Sequence, residues 1–188
     1  LSRGRYALRG LSVEGTSAEP LRNGLRLLEG TVVTLRNVRV RDTATAIVIN
    51  PGTELISPAG LRIESTTFGI SNRGRLTLTE ATFSRNGAAL YNGGTAELTD
   101  VVFEGNGEVG AGTGAASATV SNGEGGALVM RGGRISDSRG YGLINSGGAS
   151  ALIDGVLVNN NAGIAVWHQE GTLEVQASVI RDNAVYGI

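Results

Sequence analysis

The sequence contains no cysteine, no lysine and only three prolines, and aromatic residues make up 4% of its 188 positions. Without cysteine the chain can form neither a disulfide framework nor a thiolate metal site. No apolar run approaches the roughly 18 residues of a membrane-spanning helix, so we expect no membrane insertion. Charged residues amount to 18% and sum to a net charge of −1, which predicts no nucleic-acid partner.

Glycine is abundant, at 30 residues of 188, and short runs alternate between apolar and polar side chains. Glycine weakens helix interiors, whereas alternation with a period of two is typical of β-strands. No stretch carries the longer 3.6-residue periodicity that a helix needs. We therefore expect an all-β chain, and its length suits one domain.

One pattern of eleven positions returns eight times, beginning at Tyr6, Val33, Ile56, Leu76, Ala96, Leu128, Ala151 and Leu173. The eighth position always holds a strand-forming residue: Val13, Val40, Ile63, Phe83, Phe103, Ile135, Val158 and Ile180. The eleventh always holds Thr, Asn or Ser: Thr16, Thr43, Thr66, Asn86, Asn106, Ser138, Asn161 and Asn183. A third apolar stretch, such as AALYN at 88–92, follows in most units. Each unit therefore consists of three short strands.

Such a unit cannot bury its own apolar row and must stack on its neighbours. We predict a parallel β-helix of about eight coils, with equivalent side chains about 4.8 Å apart along the axis. The eleventh-position residues are expected to form a hydrogen-bonded ladder that fixes register, while the apolar rows supply most of the stability. A leucine-rich repeat is the main alternative, because LRNVRVRDT at 35–43 fits its spacing.

The predicted β-helix forms a single domain over residues 1–188, with a loop insertion at 107–117. The insertion consists of small, nearly uncharged residues and offers flexibility rather than catalytic groups. Because the chain opens without methionine and stops in the middle of the pattern, we expect it to be a segment of a longer protein.

Short motifs carry a family resemblance. FSRN at 83–86, FEGN at 103–106 and GGAL at 125–128 resemble the FxxN and GGA(I/L) repeats of chlamydial polymorphic outer-membrane autotransporters. More broadly, the chain resembles bacterial right-handed parallel β-helix proteins, which share their fold with pectate lyases. The resemblance implies a right-handed coil and a protein that is secreted or exposed on the bacterial cell surface.

Pectate-lyase-like enzymes use acidic calcium ligands with an arginine base, or paired aspartates, and no matching motif is found here. Outward positions of the first strand bring Arg131, Asp154 and Glu174 onto neighbouring coils, where they form the best candidate cluster for acid–base catalysis or calcium binding. The alternative is a solvated ion pair. We predict no metal site and no cofactor, with calcium implied only if the chain is a polysaccharide lyase.

A second candidate site is WHQE at 167–170, which holds the only tryptophan and the only histidine. Trp167 could stack on a sugar ring, and His168 could act as a general base with Glu170. The alternative is that Trp167 covers an edge of the third strand and His168 lies in the turn.

These patterns favour a non-catalytic β-helix segment of a secreted or cell-surface bacterial protein, acting as a stalk or as an adhesive, glycan-binding surface. The alternative function is a polysaccharide lyase, hydrolase or epimerase of the pectate-lyase-like group. The expected partners are a polysaccharide or cell-surface glycan and, at the open ends of the coil, further coils of the parent chain or a capping partner.

Overall fold

A computed structural model of the chain describes residues 1, 3–16, 21–107 and 118–188. These residues form 23 strands and no helix, which confirms the all-β prediction and disfavours the leucine-rich repeat, whose units each need a helical segment. No helix that could cross a membrane therefore occurs within these ranges. The insertion predicted at 107–117 lies outside the described residues, apart from Gly107.

The strands follow one another around three parallel sheets, which we call sheets A, B and C. Sheet A consists of β1 (Gly4–Arg9), β4 (Thr31–Arg36), β7 (Glu54–Ala59), β10 (Arg75–Thr79), β13 (Thr95–Thr99), β16 (Ala127–Arg131), β19 (Ser150–Asp154) and β22 (Thr172–Gln176). Sheet B consists of β2 (Ser12–Glu14), β5 (Arg39–Arg41), β8 (Arg62–Glu64), β11 (Thr82–Ser84), β14 (Val102–Glu104), β17 (Arg134–Ser136), β20 (Leu157–Asn159) and β23 (Val179–Arg181).

Sheet C consists of β3 (Leu21–Leu27), β6 (Thr43–Ile49), β9 (Phe68–Asn72), β12 (Ala88–Asn92), β15 (Ala118–Asn122), β18 (Tyr141–Asn145) and β21 (Val166–His168). Two sheets thus have eight strands and the third has seven within the described ranges. The predicted β-helix is confirmed, with about seven complete turns instead of eight and a length of about 34 Å.

The core is built from columns of like residues. Every eighth-position residue of the repeat pairs with its equivalent in the next coil, from Val13 through to Ile180. Phe83 and Phe103 are fully buried in this column and stack with ring centroids 4.8 Å apart and an interplanar angle of 28°. Burial of a large apolar side chain contributes roughly 1.5–3 kcal/mol, so such columns supply most of the stability.

In the third unit the structure corrects the sequence register. The repeat placed Ile56 and Pro58 inward, but Leu55 and Ser57 are the buried residues, and Leu55 pairs with inward residues of both neighbouring coils. The register of β7 against β4 shifts by one residue just after Ile56. Proline lacks a backbone donor and is accommodated at such an irregularity, so Pro58 explains why the pattern slips here.

Glycine allows the coils to approach closely where sheet C turns into sheet A. A Cβ atom on Gly94 would lie 2.3 Å from the carbonyl oxygen of Gly74, and one on Gly126 would lie 2.6 Å from the carbonyl oxygen of Asn92. Real Cβ atoms do not tolerate such distances, so these glycines keep the turn compact.

The eleventh-position ladder forms hydrogen bonds in two segments. In the first, the Thr66 hydroxyl donates to Asn86 Oδ1 at 2.8 Å, and Asn86 Nδ2 donates to Asn106 Oδ1 at 2.9 Å. In the second, the Ser138 amide donates to Asn161 Oδ1 at 3.0 Å, and Asn161 Nδ2 to Asn183 Oδ1 at 2.8 Å. These bonds link successive coils at the turn between sheets B and C, as a register-fixing ladder requires.

The N-terminal end of this ladder departs from the prediction. The buried hydroxyl of Thr43 has no hydrogen-bond partner among the described residues. A threonine hydroxyl is shorter than an asparagine amide and offers a single donor, so it reaches fewer neighbours. The ladder therefore has most hydrogen bonds where asparagine occupies the position.

Several ion pairs lie on the outer face of sheet B. Glu64 accepts hydrogen bonds from Arg39 Nε at 2.9 Å and from Arg85 Nη2 at 3.1 Å. The hydrogen bond from Arg39 lowers the pKa of the Glu64 carboxyl below its usual range. A lowered folded-state pKa adds stability above the unfolded-state pKa, and this stability is lost as the pH falls through the folded-state pKa.

We expect Glu64→Gln to lower the free energy of unfolding by less than about 1 kcal/mol at pH 7, because the pair is partly exposed. Between pH 7 and pH 3 the variant should lose less stability than the wild type, as measured by urea unfolding. Glu97→Gln, on the exposed face of sheet A, is the control and should keep the wild-type pH dependence. Identical pH dependence in Glu64→Gln and wild type would contradict this assignment.

Candidate functional site

The outer face of sheet C carries two columns of side chains, which together we call the sheet C face. The first column is Asn23, Thr45, Phe68, Ala88, Ala118 and Tyr141. The second column is Arg26, Val48, Ser71, Tyr91, Ser121, Ile144 and Trp167. Both columns point outward because the intervening residues, such as Leu90 and Leu143, are buried in the core.

Aromatic side chains concentrate on the sheet C face. The face holds four of the chain's eight aromatic residues: Phe68, Tyr91, Tyr141 and Trp167. The side chain of Phe68 is 50% exposed. The rings of Tyr141 and Trp167 meet edge to face, with centroids 5.2 Å apart. Of the other aromatic residues, Phe83 and Phe103 are buried in the core, whereas Tyr186 near the C-terminus is 67% exposed.

Two adjoining grooves run along this face. The first, of about 520 Å³, includes Arg22, Asn23, Arg26 and Phe68 in its walls. The second, of about 440 Å³, lies between Phe68 and Tyr91. Thr45 and Phe68 border both grooves, which are therefore adjacent; together we call them the trough, and its lining runs from β3 to β15.

Small side chains make the trough concave. Ala88 and Ala118 follow Phe68 in the first column, while Ser71 and Ser121 lie on either side of Tyr91 in the second. Alternation of large rings with alanine and serine leaves space beside each ring. A ligand can therefore lie against the ring faces along the axis of the coil.

Charges at the margin of the trough are paired. Arg73 Nε lies 3.4 Å from Glu124 Oε2. Burial raises the pKa of the Tyr91 hydroxyl, and a hydrogen bond to Glu124 raises it further. The Tyr91 hydroxyl is accordingly neutral at physiological pH and can donate a hydrogen bond.

The structure places Trp167 and His168 of the WHQE candidate on β21, and Glu170 follows this strand. Trp167 lies in the outward second column, as a sugar-stacking residue requires. His168 pairs in register with Asn145, and its Nδ1 lies 3.2 Å from Asn145 Nδ2. No hydrogen bond or ion pair joins His168 to Glu170 among the described contacts.

His168 ends a second asparagine ladder that the sequence reasoning missed. Asn72 donates to Asn92 at 2.7 Å, Asn92 to Asn122 at 2.8 Å, and Asn122 to Asn145 at 2.7 Å. All four amides are completely buried at the end of sheet C. The signal was present in the final Asn of GISN, AALYN, ATVSN and GLIN, which recurs with the period of the repeat.

The proposed catalytic cluster lies on the outer face of sheet A. Arg131 and Asp154 are register partners in neighbouring strands, while Glu174 pairs with Leu152 and belongs to the adjacent column. The described contacts contain no ion pair or hydrogen bond among these three side chains, and the Glu174 carboxylate accepts a hydrogen bond from Gln176. Within the described ranges, no group of three or more acidic or histidine side chains is arranged to hold a metal ion.

The comparison with protein-family models agrees with this geometry. A model described as a right handed beta helix region matches residues 67–188. This chain belongs to the right-handed β-helix family. The match covers most of the coils, including the aromatic part of the sheet C face. No curated protein and no solved structure matches the chain. The likeness to autotransporter repeats and to pectate lyases stays a prediction.

Proposed function

We propose that this right-handed β-helix is a non-catalytic segment of a secreted or cell-surface protein and binds a glycan along its sheet C face. The observation that carries the proposal is the outward aromatic series Phe68, Tyr91, Tyr141 and Trp167, of which Phe68 and Tyr91 line the trough. Exposed rings leave apolar area in contact with water, and a chain with few aromatics gains no core stability from placing half of them outside.

Sugar rings present flat faces of C–H groups that pack well against aromatic rings, whose faces carry partial negative charge. Hydroxyl groups at the rim of a sugar need hydrogen-bond partners, and Ser71, Ser121 and the Tyr91 hydroxyl offer them within the second groove. A concave, mostly apolar site with a few polar groups is typical of ligand binding.

The form of the coil suits a polymeric ligand. Successive coils repeat every 4.8 Å or so, so the outward side chains of the sheet C face lie in line at a regular spacing. A polysaccharide can use several such contacts at once, which raises its total affinity without any single strong contact. A rod of coils also holds this surface rigidly, which supports the role of a stalk.

Retention on immobilised polysaccharides tests the proposal. Wild-type protein should bind at least one member of a panel of neutral and acidic polysaccharides. Phe68→Ala combined with Tyr91→Ala should weaken that binding about tenfold, because each ring contact contributes about 0.5–1.5 kcal/mol. Both side chains point outward, so the fold should be retained, and Thr77→Ala on the outer face of sheet A serves as the control.

Two outcomes would count against the proposal: no polysaccharide is retained, or the double variant binds as tightly as the wild type. The same incubations report on the alternative function. Release of shorter fragments by the wild type, abolished in Arg131→Ala or Asp154→Ala, would identify a polysaccharide-cleaving enzyme instead.

A further inference from the structure

We infer that the glycan bound by the sheet C face is anionic, with carboxylate or sulfate groups lying against Arg22 and Arg26. This inference rests on the proposed glycan-binding function and specifies the class of ligand. Both arginines lie on β3, are exposed, and line the first groove. They therefore give the trough a cationic N-terminal end and an aromatic centre.

The charge of Arg22 and Arg26 is uncompensated within the part of the chain that the structure describes. Neither side chain forms an ion pair with a described residue, and the described linings of the two grooves contain no Asp or Glu. Arg73, the other arginine of the trough, is paired with Glu124. Among the described lining residues, Arg22 and Arg26 are therefore the charged side chains that have no ion partner.

The arginines of sheet B provide the contrast. Arg39 and Arg85 share Glu64, Arg41 pairs with Glu14, and Arg134 pairs with Glu104. An arginine that already holds a carboxylate has fewer donors left for an anionic ligand. Among the described arginines of sheet B only Arg62 has no ion pair, so most of that face is neutralised, whereas neither Arg22 nor Arg26 on β3 is paired with a described residue.

The register sets the distance between the charged and the stacking parts. Arg26 begins the second column, and Tyr91 follows it three coils later, about 14 Å away along the axis. Asn23 begins the first column, and Phe68 follows two coils later, about 10 Å away. A glycan lying along the trough would place its acidic substituents over β3 and its ring faces over β9 and β12.

Guanidinium groups suit this task because they are planar and present several donors that match the two oxygens of a carboxylate or the oxygens of a sulfate. Because both side chains are exposed, the interaction is screened by salt. The inferred contact therefore contributes selectivity between acidic and neutral glycans, while the rings contribute affinity to both.

The test measures the affinity of immobilised wild-type protein for two pairs of oligosaccharides in low salt. One pair is a polyuronate oligomer and its carboxyl-reduced, neutral counterpart, and the other is a sulfated oligomer and its desulfated counterpart. Wild type should bind at least one acidic member about tenfold more tightly than its neutral counterpart. The pair that shows this preference identifies the anion as carboxylate or sulfate.

Arg22→Gln combined with Arg26→Gln should abolish this preference and leave binding of the neutral oligomers unchanged. Arg9→Gln combined with Arg36→Gln is the matched control, because these arginines are register partners on the outer face of sheet A and the variant has the same net charge. The control should keep the preference within about twofold. Thermal unfolding of both variants verifies that they are folded.

The inference would be overturned by equal binding of acidic and neutral oligomers to the wild type, or by equal losses in the two double variants, which would indicate a general effect of net charge. If the wild type binds acidic and neutral oligomers equally, and Phe68→Ala combined with Tyr91→Ala still weakens that binding, the proposed function remains supported. Absence of binding to all four oligomers and to the polysaccharide panel would overturn the proposed function itself.

Discussion

Phe103→Ala is expected to lower the free energy of unfolding by about 3–5 kcal/mol, the largest loss that we predict for a single substitution in this chain. The Phe103 ring is fully buried and stacks on Phe83 in the neighbouring coil at a centroid distance of 4.8 Å. Its removal loses both the burial of the ring and the packing of Phe83, and the backbone of a stacked coil cannot collapse into the cavity.

Phe68→Ala is the matched control, since it removes the same ring from a side chain that is 50% exposed. Its free energy of unfolding should remain within about 0.5 kcal/mol of the wild type. Urea unfolding followed by circular dichroism measures both variants. A loss for Phe103→Ala no greater than that for Phe68→Ala would refute the inward orientation of the eighth-position column.

Asn122→Ala is expected to lower the free energy of unfolding by about 1–3 kcal/mol. Its amide is completely buried, accepts a hydrogen bond from Asn92 at 2.8 Å and donates to Asn145 Oδ1 at 2.7 Å and to the carbonyl oxygen of Ser150 at 2.9 Å. Alanine would remove a bridge between three coils and leave buried polar groups unpaired in both directions.

Asn159→Ala provides the comparison for the ladder. Asn159 Oδ1 is buried without a hydrogen-bond partner among the described residues, so its removal strands no other group. We expect a change within about 0.5 kcal/mol of the wild type. Equal shifts of the urea midpoint in Asn122→Ala and Asn159→Ala would show that the sheet C ladder contributes nothing specific.

Much of the fold could be predicted because the sequence pattern of one structural unit recurs eight times. A column of strand-forming residues from Val13 to Ile180 is visible in the sequence, and each member pairs with its equivalent in the structure. Stacked coils require that equivalent positions have compatible size and polarity, so the repeat carries the register directly. Sequence spacing and spatial position coincide in such a fold more closely than in a globular domain.

Two features could not be predicted from the repeat: the register of the third unit and the residues that recur on sheet C. The third unit slips by one residue around Pro58, because side-chain spacing alone does not indicate where a strand tolerates an extra residue. The eleven-position pattern also ended before sheet C. It therefore omitted the asparagines from Asn72 to Asn145 and the outward rings of Phe68 and Tyr91, although both recur with the same period.

The candidate site shows the corresponding limit. Trp167 belongs to the sheet C face, but His168 meets Asn145 at the end of a ladder instead of forming a pair with Glu170. Glu170 follows β21 and does not lie within it, so strand alternation did not fix its position relative to His168. The functional surface arises from residues about twenty positions apart, which only the alignment of coils brings together.

The parallel pairing of each strand with only the coils before and after it makes this molecule nearly one-dimensional. Residues that are fully covered in the central strands, such as Leu98, have half-covered equivalents in the terminal strands, including Val175 and Ile180. Cooperativity must then pass from neighbour to neighbour, because each coil is stabilised by the coils on either side of it. Phe68 and Tyr91 lie in adjacent coils, so the spacing between the two rings depends on the integrity of a single coil-to-coil interface.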